Sequence, residues 1–205
     1  MVCDVCGQEF LVRHSCPGPI PAGDILAPPE GFALFYYLGE AWRIVRWDDA
    51  AIRRIKDDKR ELPYGILIWC VANALPVLLI ATYTPKLARQ FSDFGGILTL
   101  LYLLAYGAAL GLTQMGICHL LAKWFCAGEG KFIQIIRPLL LASIVYVALA
   151  SPLFGALLAG LAWTAVMMMV FQEVHGIEPL TAFLLSAGVG VGLRLALYFL
   201  VKTPF

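Results

Sequence analysis

Past residue 62 the chain is one long apolar stretch after another, and that alone restricts what it can fold into. A helix needs about 20 apolar residues to cross roughly 30 Å of hydrocarbon. The first such stretch is PYGILIWCVANALPVLLIAT, at about 63–82, with Pro76 placed to kink it. A second runs over about 96–122, where Lys123-Trp124 marks an interface. The third, LLLASIVYVALAS, is short, so its span must start near Phe132 and leave Arg137-Pro138 close to the headgroups. The fourth covers about 153–172 and the fifth about 181–201, ending at Lys202. Composition agrees: 60% of residues are apolar and 14% charged, against roughly a quarter charged in soluble domains. The expected fold is an all-α integral membrane protein with five transmembrane helices.

Basic residues in the connections set the expected orientation. The N-terminal segment carries eight Lys/Arg and the loop at 123–137 three. The opposite side has Lys86 and Arg89 in one loop and Lys202 at the end, so the bias is eleven against three. This places the N-terminus in the cytoplasm and the C-terminus outside, in a cell (inner) membrane. Net charge is +1, which points to no nucleic-acid partner.

Three segments precede the spans. Residues 1–16 are a polar module containing Cys3, Cys6, His14 and Cys16. No basic n-region and apolar h-region precede these cysteines, so they are expected in a reducing cytoplasm, where close cysteine spacing reads as metal binding. A Cys-x2-Cys turn puts two thiolates on one side of a tetrahedral Zn²⁺, and the later His-x-Cys pair would close it. Residues 17–31 hold five prolines and three glycines and read as a linker. Residues 32–62 repeat apolar side chains at helical spacing, through Phe35, Leu38, Trp42, Val45, Ile52, Ile55 and Leu62. This predicts amphipathic cytoplasmic helices, broken near Trp47-Asp48-Asp49 with an aspartate capping the second. Seven Lys/Arg and six Asp/Glu mix between Glu40 and Glu61. Such a segment is not a net polybasic lipid clamp.

Residues 128–193, from Gly128 to Leu193, carry features that resemble the Yip1 domain. They are a Gly-rich entry with a basic residue (Gly128, Gly130, Lys131), Pro152 between spans three and four, Trp163 in span four, and His175-Gly176 before span five. Weaker similarity reaches back to about residue 60. The resemblance implies a cytoplasmic N-terminus followed by five spans over 63–205. Eukaryotic members of that family are trafficking factors that engage small GTPases; the cysteine-rich head makes this chain more similar to bacterial members. Of the DLYGP-type motif of eukaryotic members only Tyr64-Gly65 is echoed, a departure that argues against GTPase-linked trafficking.

Within the spans, Arg194 is the one charge well inside a helix, and intramembrane charges are functional candidates. With no acidic residue in any predicted span, its candidate partners are backbone carbonyls, Asn73 or Gln114. It reads either as a structural hydrogen-bond hub or as a contact for substrate or lipid headgroup. Glu173, His175 and Glu178 cluster between spans four and five, where they could bind a metal, relay a proton or simply end two spans. Gln114 and His119, five residues apart, read as polar packing groups on different faces. Rows of small residues, Gly107 and Gly111 or Ala182, Ser186 and Gly190, read as packing seams and also suit a homo-oligomer.

These patterns lack the paired carboxylates, Ser/His pair or cavity-facing metal-ligating histidines that catalysis in a bilayer usually needs, so no enzyme is expected. The leading expectation is a scaffold or adaptor whose head recruits a cytoplasmic partner or organises the lipid bilayer. The alternative is a small transporter or lipid-handling protein with a polar path near Arg194.

Overall fold

The computed structural model describes residues 31–84, 89, 95–151 and 153–201. By its contacts the chain divides into Met1–Ala33 and Leu34–Phe205, and the architecture below is that of the second unit. Its described residues form helices and no strand: α1 (Leu34–Val45), α2 (Asp49–Ile55), α3 (Glu61–Tyr83), α4 (Gly96–Phe125), α5 (Phe132–Ala142), α6 (Gly155–His175) and α7 (Pro179–Val201). A 3₁₀ segment, Ser143–Ala150, continues α5. Five of these stretches are long and apolar enough to span a membrane, the third being α5 and its 3₁₀ continuation together, Phe132–Ala150. This is the organisation of a multi-pass membrane protein.

The boundaries have local causes. Asp48 caps α2, its Oδ1 accepting from the backbone N–H of Ala50 at 3.0 Å and of Ala51 at 3.3 Å. Pro63 falls in the first turn of α3, where a missing N–H costs nothing. α3 therefore begins at Glu61, two residues before the apolar run. α6 ends on Gly176, whose left-handed conformation (φ 67°) suits a residue without Cβ. The three-residue connection 176–178, which begins with this glycine, turns α7 back beside α6.

Packing gathers four helix ends at one end of the bundle. Arg53 of α2 pairs with Glu173 of α6 at 3.1 Å. Arg137 of α5 donates to the Lys56 carbonyl at 2.9 Å, and Gln134 donates to Asp57 at 2.7 Å. The α4–α5 connection closes onto the end of α6: a side chain on Gly128 would begin 2.6 Å from His175 Nδ1, and one on Gly130 would begin 2.5 Å from the Val174 carbonyl. These glycines are required for room. The start of α3, end of α4, start of α5 and end of α6 thus meet α1 and α2 at a common head end.

The apolar stripe read along α1 is not the face it buries in the protein. Tyr37, Glu40, Ala41 and Ile44 turn inward, whereas Phe35 is 83% and Trp42 58% exposed. Tyr37 stacks on Tyr64 with ring centres 4.7 Å apart and donates its hydroxyl to Asp58 at 2.7 Å. Burial, then that hydrogen bond to a carboxylate, holds the Tyr37 hydroxyl protonated well above the usual tyrosine range. Glu40 receives Arg54 through three N–H contacts of 2.9–3.3 Å and Arg43 at 3.1 Å.

Candidate functional site

Arg194 lies fifteen residues into α7, about 22 Å from its start at 1.5 Å per residue. Its side chain lines a cavity of about 470 Å³ bounded by α3, α4, α5 with its 3₁₀ continuation, α6 and α7. That size falls among small-molecule sites. The guanidinium makes no hydrogen bond or ion pair with any described residue, and no carboxylate is among the lining side chains. Both polar residues proposed as its partners, Asn73 and Gln114, line the same cavity without bonding to it. Asn73 Nδ2 donates to the Trp69 carbonyl at 2.8 Å, and Gln114 Nε2 donates to the Ser186 carbonyl at 3.3 Å. Each therefore has its oxygen spare.

Two further donors complete the lining. Trp163 is 5% exposed and its indole Nε1 is buried with no acceptor, although an indole N–H normally finds one when buried. Tyr146 packs against it, ring centres 5.0 Å apart. A side chain on Gly160 would start 4.0 Å from Arg194 Nη1, so α6 approaches the guanidinium through a bare backbone. The cavity is apolar in most of its wall, with a cation and an orphaned donor facing no negative charge.

The loop cluster is not a cluster in the fold. Glu173 turns to Arg53, and its backbone carbonyl accepts from Lys56 Nζ at 3.4 Å. His175 turns to α4, where its Nε2 lies 3.1 Å from His119 Nδ1, and Glu178 is exposed. The three diverge because Glu173 and Glu178 sit on either side of the Gly176 turn while His175 points into the bundle. His119 is more than a packing group: it supplies half of this imidazole pair, which stacks on Phe171 and lies beside Phe132. Contact between residues 56 apart left no trace in the local sequence.

Glu61 was also missed. It is fully buried, and neither carboxylate oxygen has a hydrogen-bond partner. It lies against Gly65, where any side chain would collide with the carboxylate. Arg137 is the nearby cation, its own Nε buried and unpartnered. The signal was a glutamate at the edge of an apolar run, with a glycine one turn later.

Among the described residues no three His, Cys, Asp or Glu side chains gather as a metal site. Cys3, Cys6, His14 and Cys16 lie outside the described residues. No family model, curated protein or solved structure matches the chain.

Proposed function

We propose that this is a multi-pass membrane protein of Yip1-type arrangement, N-terminus cytoplasmic and C-terminus external, that holds the anionic head of an amphiphile in the cavity at Arg194. The observation that carries this reading is a guanidinium without an ion pair in a largely apolar cavity, beside an indole N–H without an acceptor. At the centre of a span an arginine costs about 2.5–3.5 kcal/mol to insert on biological scales. Arg194 is exposed, five residues from the end of the Pro179–Phe199 span, and no carboxylate among the described residues pairs with it. A phosphate or carboxylate head would pair with it and would accept from Trp163. Asn73 and Gln114 have oxygens free for hydroxyl or ammonium groups, and Leu193 and Leu197 offer apolar wall for an acyl chain. Recruitment of a cytoplasmic partner, the leading expectation from sequence, rests on an N-terminal segment outside the described residues.

The test is lipid retained by the full chain purified in mild detergent, with phospholipid and free fatty acid quantified separately. A hydrogen-bonded charge is worth about 1.5–3 kcal/mol, so Arg194→Gln should lower anionic-lipid retention roughly 10- to 100-fold while thermal stability holds. Unchanged retention at unchanged stability would refute the reading. Lost stability would instead make Arg194 a structural hub.

A further inference from the structure

The outward face of α1 and of the two residues after it is built from Phe35, Gly39, Trp42, Arg43, Arg46 and Trp47, all exposed. Its acidic neighbour is absent from that face, because Glu40 is 3% exposed and turned inward to Arg54. A side chain on Gly39 would meet nothing within 4 Å, so no described residue covers the middle of this face. Arg46 makes no ion pair with a described residue, and Arg43 keeps a side chain 47% exposed while touching Glu40. The charge balance of the whole segment, near neutral, thus conceals a face that is aromatic and cationic.

The position of α1 says what meets this face. The helix packs most extensively on α5, then on α2 and α3, and touches α6 and the 3₁₀ segment as well. That segment begins only after eleven residues of α5, about 16 Å along the third span. α1 therefore lies along the flank of the spans at the head end and not beneath them. Its outward face continues the surface that the spans present to lipid. Exposed Trp124 and Phe125 end α4 at the same end of the bundle, as aromatic side chains do at a membrane interface.

Trp47 supplies a separate observation. It lies in the turn two residues past the end of α1 with φ 68°, a left-handed conformation that is an outlier for a bulky residue and costs nothing for glycine. The strain holds a 65% exposed indole outward. Strain of this kind persists at functional positions.

We propose that the Phe35–Trp42–Trp47 face of α1 docks into the headgroup layer of the protein's own bilayer, with Arg43 and Arg46 on anionic phospholipid heads. Aromatic side chains enter the boundary between headgroup and acyl chain while the arginines stay at phosphate level. This surface is independent of the cavity at Arg194.

The experiment uses the full chain labelled with fluorotryptophan in nanodiscs of phosphatidylcholine, with or without phosphatidylglycerol. Fluorine resonances of Trp42 and Trp47 are assigned by Trp42→Phe and Trp47→Phe. Both should broaden with a nitroxide-bearing lipid and resist an aqueous gadolinium chelate. An arginine near an anionic surface shifts such an equilibrium roughly fivefold, so Arg43→Gln/Arg46→Gln should raise gadolinium access in the mixed nanodiscs and leave it unchanged in phosphatidylcholine alone. Trp47→Gly relieves the backbone and so cannot act by unfolding; it should raise gadolinium access at Trp42. Broadening of both resonances by gadolinium but not by the lipid nitroxide would overturn the proposal and give the face to water or a soluble partner. Lipid contact that ignores the arginine changes would overturn its anionic preference.

Discussion

Glu40 is the residue whose loss should be felt most in the head. Its carboxylate is 3% exposed, the Arg54 side chain facing it is 11% exposed, and three of its four guanidinium contacts come from Arg54. Glu40→Ala leaves Arg54 buried without a counter-charge. Breaking one side of a buried pair costs about 3–5 kcal/mol, most of it the uncompensated charge. Arg43 adds little, since a half-exposed i,i+3 partner is worth only a few tenths of a kcal/mol. The expected destabilisation is therefore about 3 kcal/mol, falling on the α1–α2 pair and not on the spans, because Glu40 and Arg54 join those two helices. Hydrogen exchange of the α1 and α2 amides in nanodiscs reads this as local opening. Exchange there should quicken roughly a hundredfold while the amides of α6 and α7 stay as protected as before. In Glu40→Leu/Arg54→Leu the orphaned charge is gone, and much of the protection should return. If Glu40→Ala quickens exchange less than about fivefold, or if the two single losses simply add, the buried-pair reasoning is wrong.

Three other outcomes follow from separate features. Gly130→Ala would start a side chain 2.5 Å from a backbone carbonyl that cannot move alone, and should cost about 2–3 kcal/mol in detergent unfolding. Gly116→Ala, with nothing within 4 Å, should be neutral or gain up to about 1 kcal/mol; equal losses in both would remove the steric argument. For Tyr37, the raised value favours the neutral hydroxyl in the fold, so its contribution is full below about pH 10 and is lost as pH rises further. Opening of α1 should therefore steepen above about pH 10 in the wild type and much less in Tyr37→Phe. For the proposed Cys3, Cys6, His14 and Cys16 set, elemental analysis should give about one zinc per chain, lost in Cys3→Ser/Cys6→Ser; zinc that survives this change belongs to another site.

What was legible in the sequence was what a single helix determines alone. A run such as that in α3 is apolar on every side, so its length fixes its role without reference to neighbours. The Asp48 cap was legible for the same reason, since the N–H groups that donate to it lie two and three residues away. Arg194 stood out because a charge is rare in such surroundings. The rest depends on which helices meet. α1 has apolar side chains on two faces, and only the packing of Tyr37, Ala41 and Ile44 on α3 and α5 tells which one the protein takes. Likewise, Glu173, His175 and Glu178 are neighbours along the chain, yet partners arriving from α2 and α4 pull the first two apart.

The change from α-helix to 3₁₀ at Ser143 bears on bilayer thickness. Eleven α-helical residues and eight 3₁₀ residues reach about 32 Å, whereas the same nineteen residues would reach about 28 Å as uniform α-helix. Drawing out its second half lets this span just cover a hydrocarbon core of about 30 Å. α4, with thirty residues and about 45 Å of length, overshoots the same core and must tilt or project. One bundle therefore contains a span with no slack and a span with excess. Hydrophobic mismatch falls on them with opposite sign, so a thinner bilayer relieves the third span and tips the second further over. The third span is held on both sides by α3 and α6, which makes it the element that sets the thickness this protein fits.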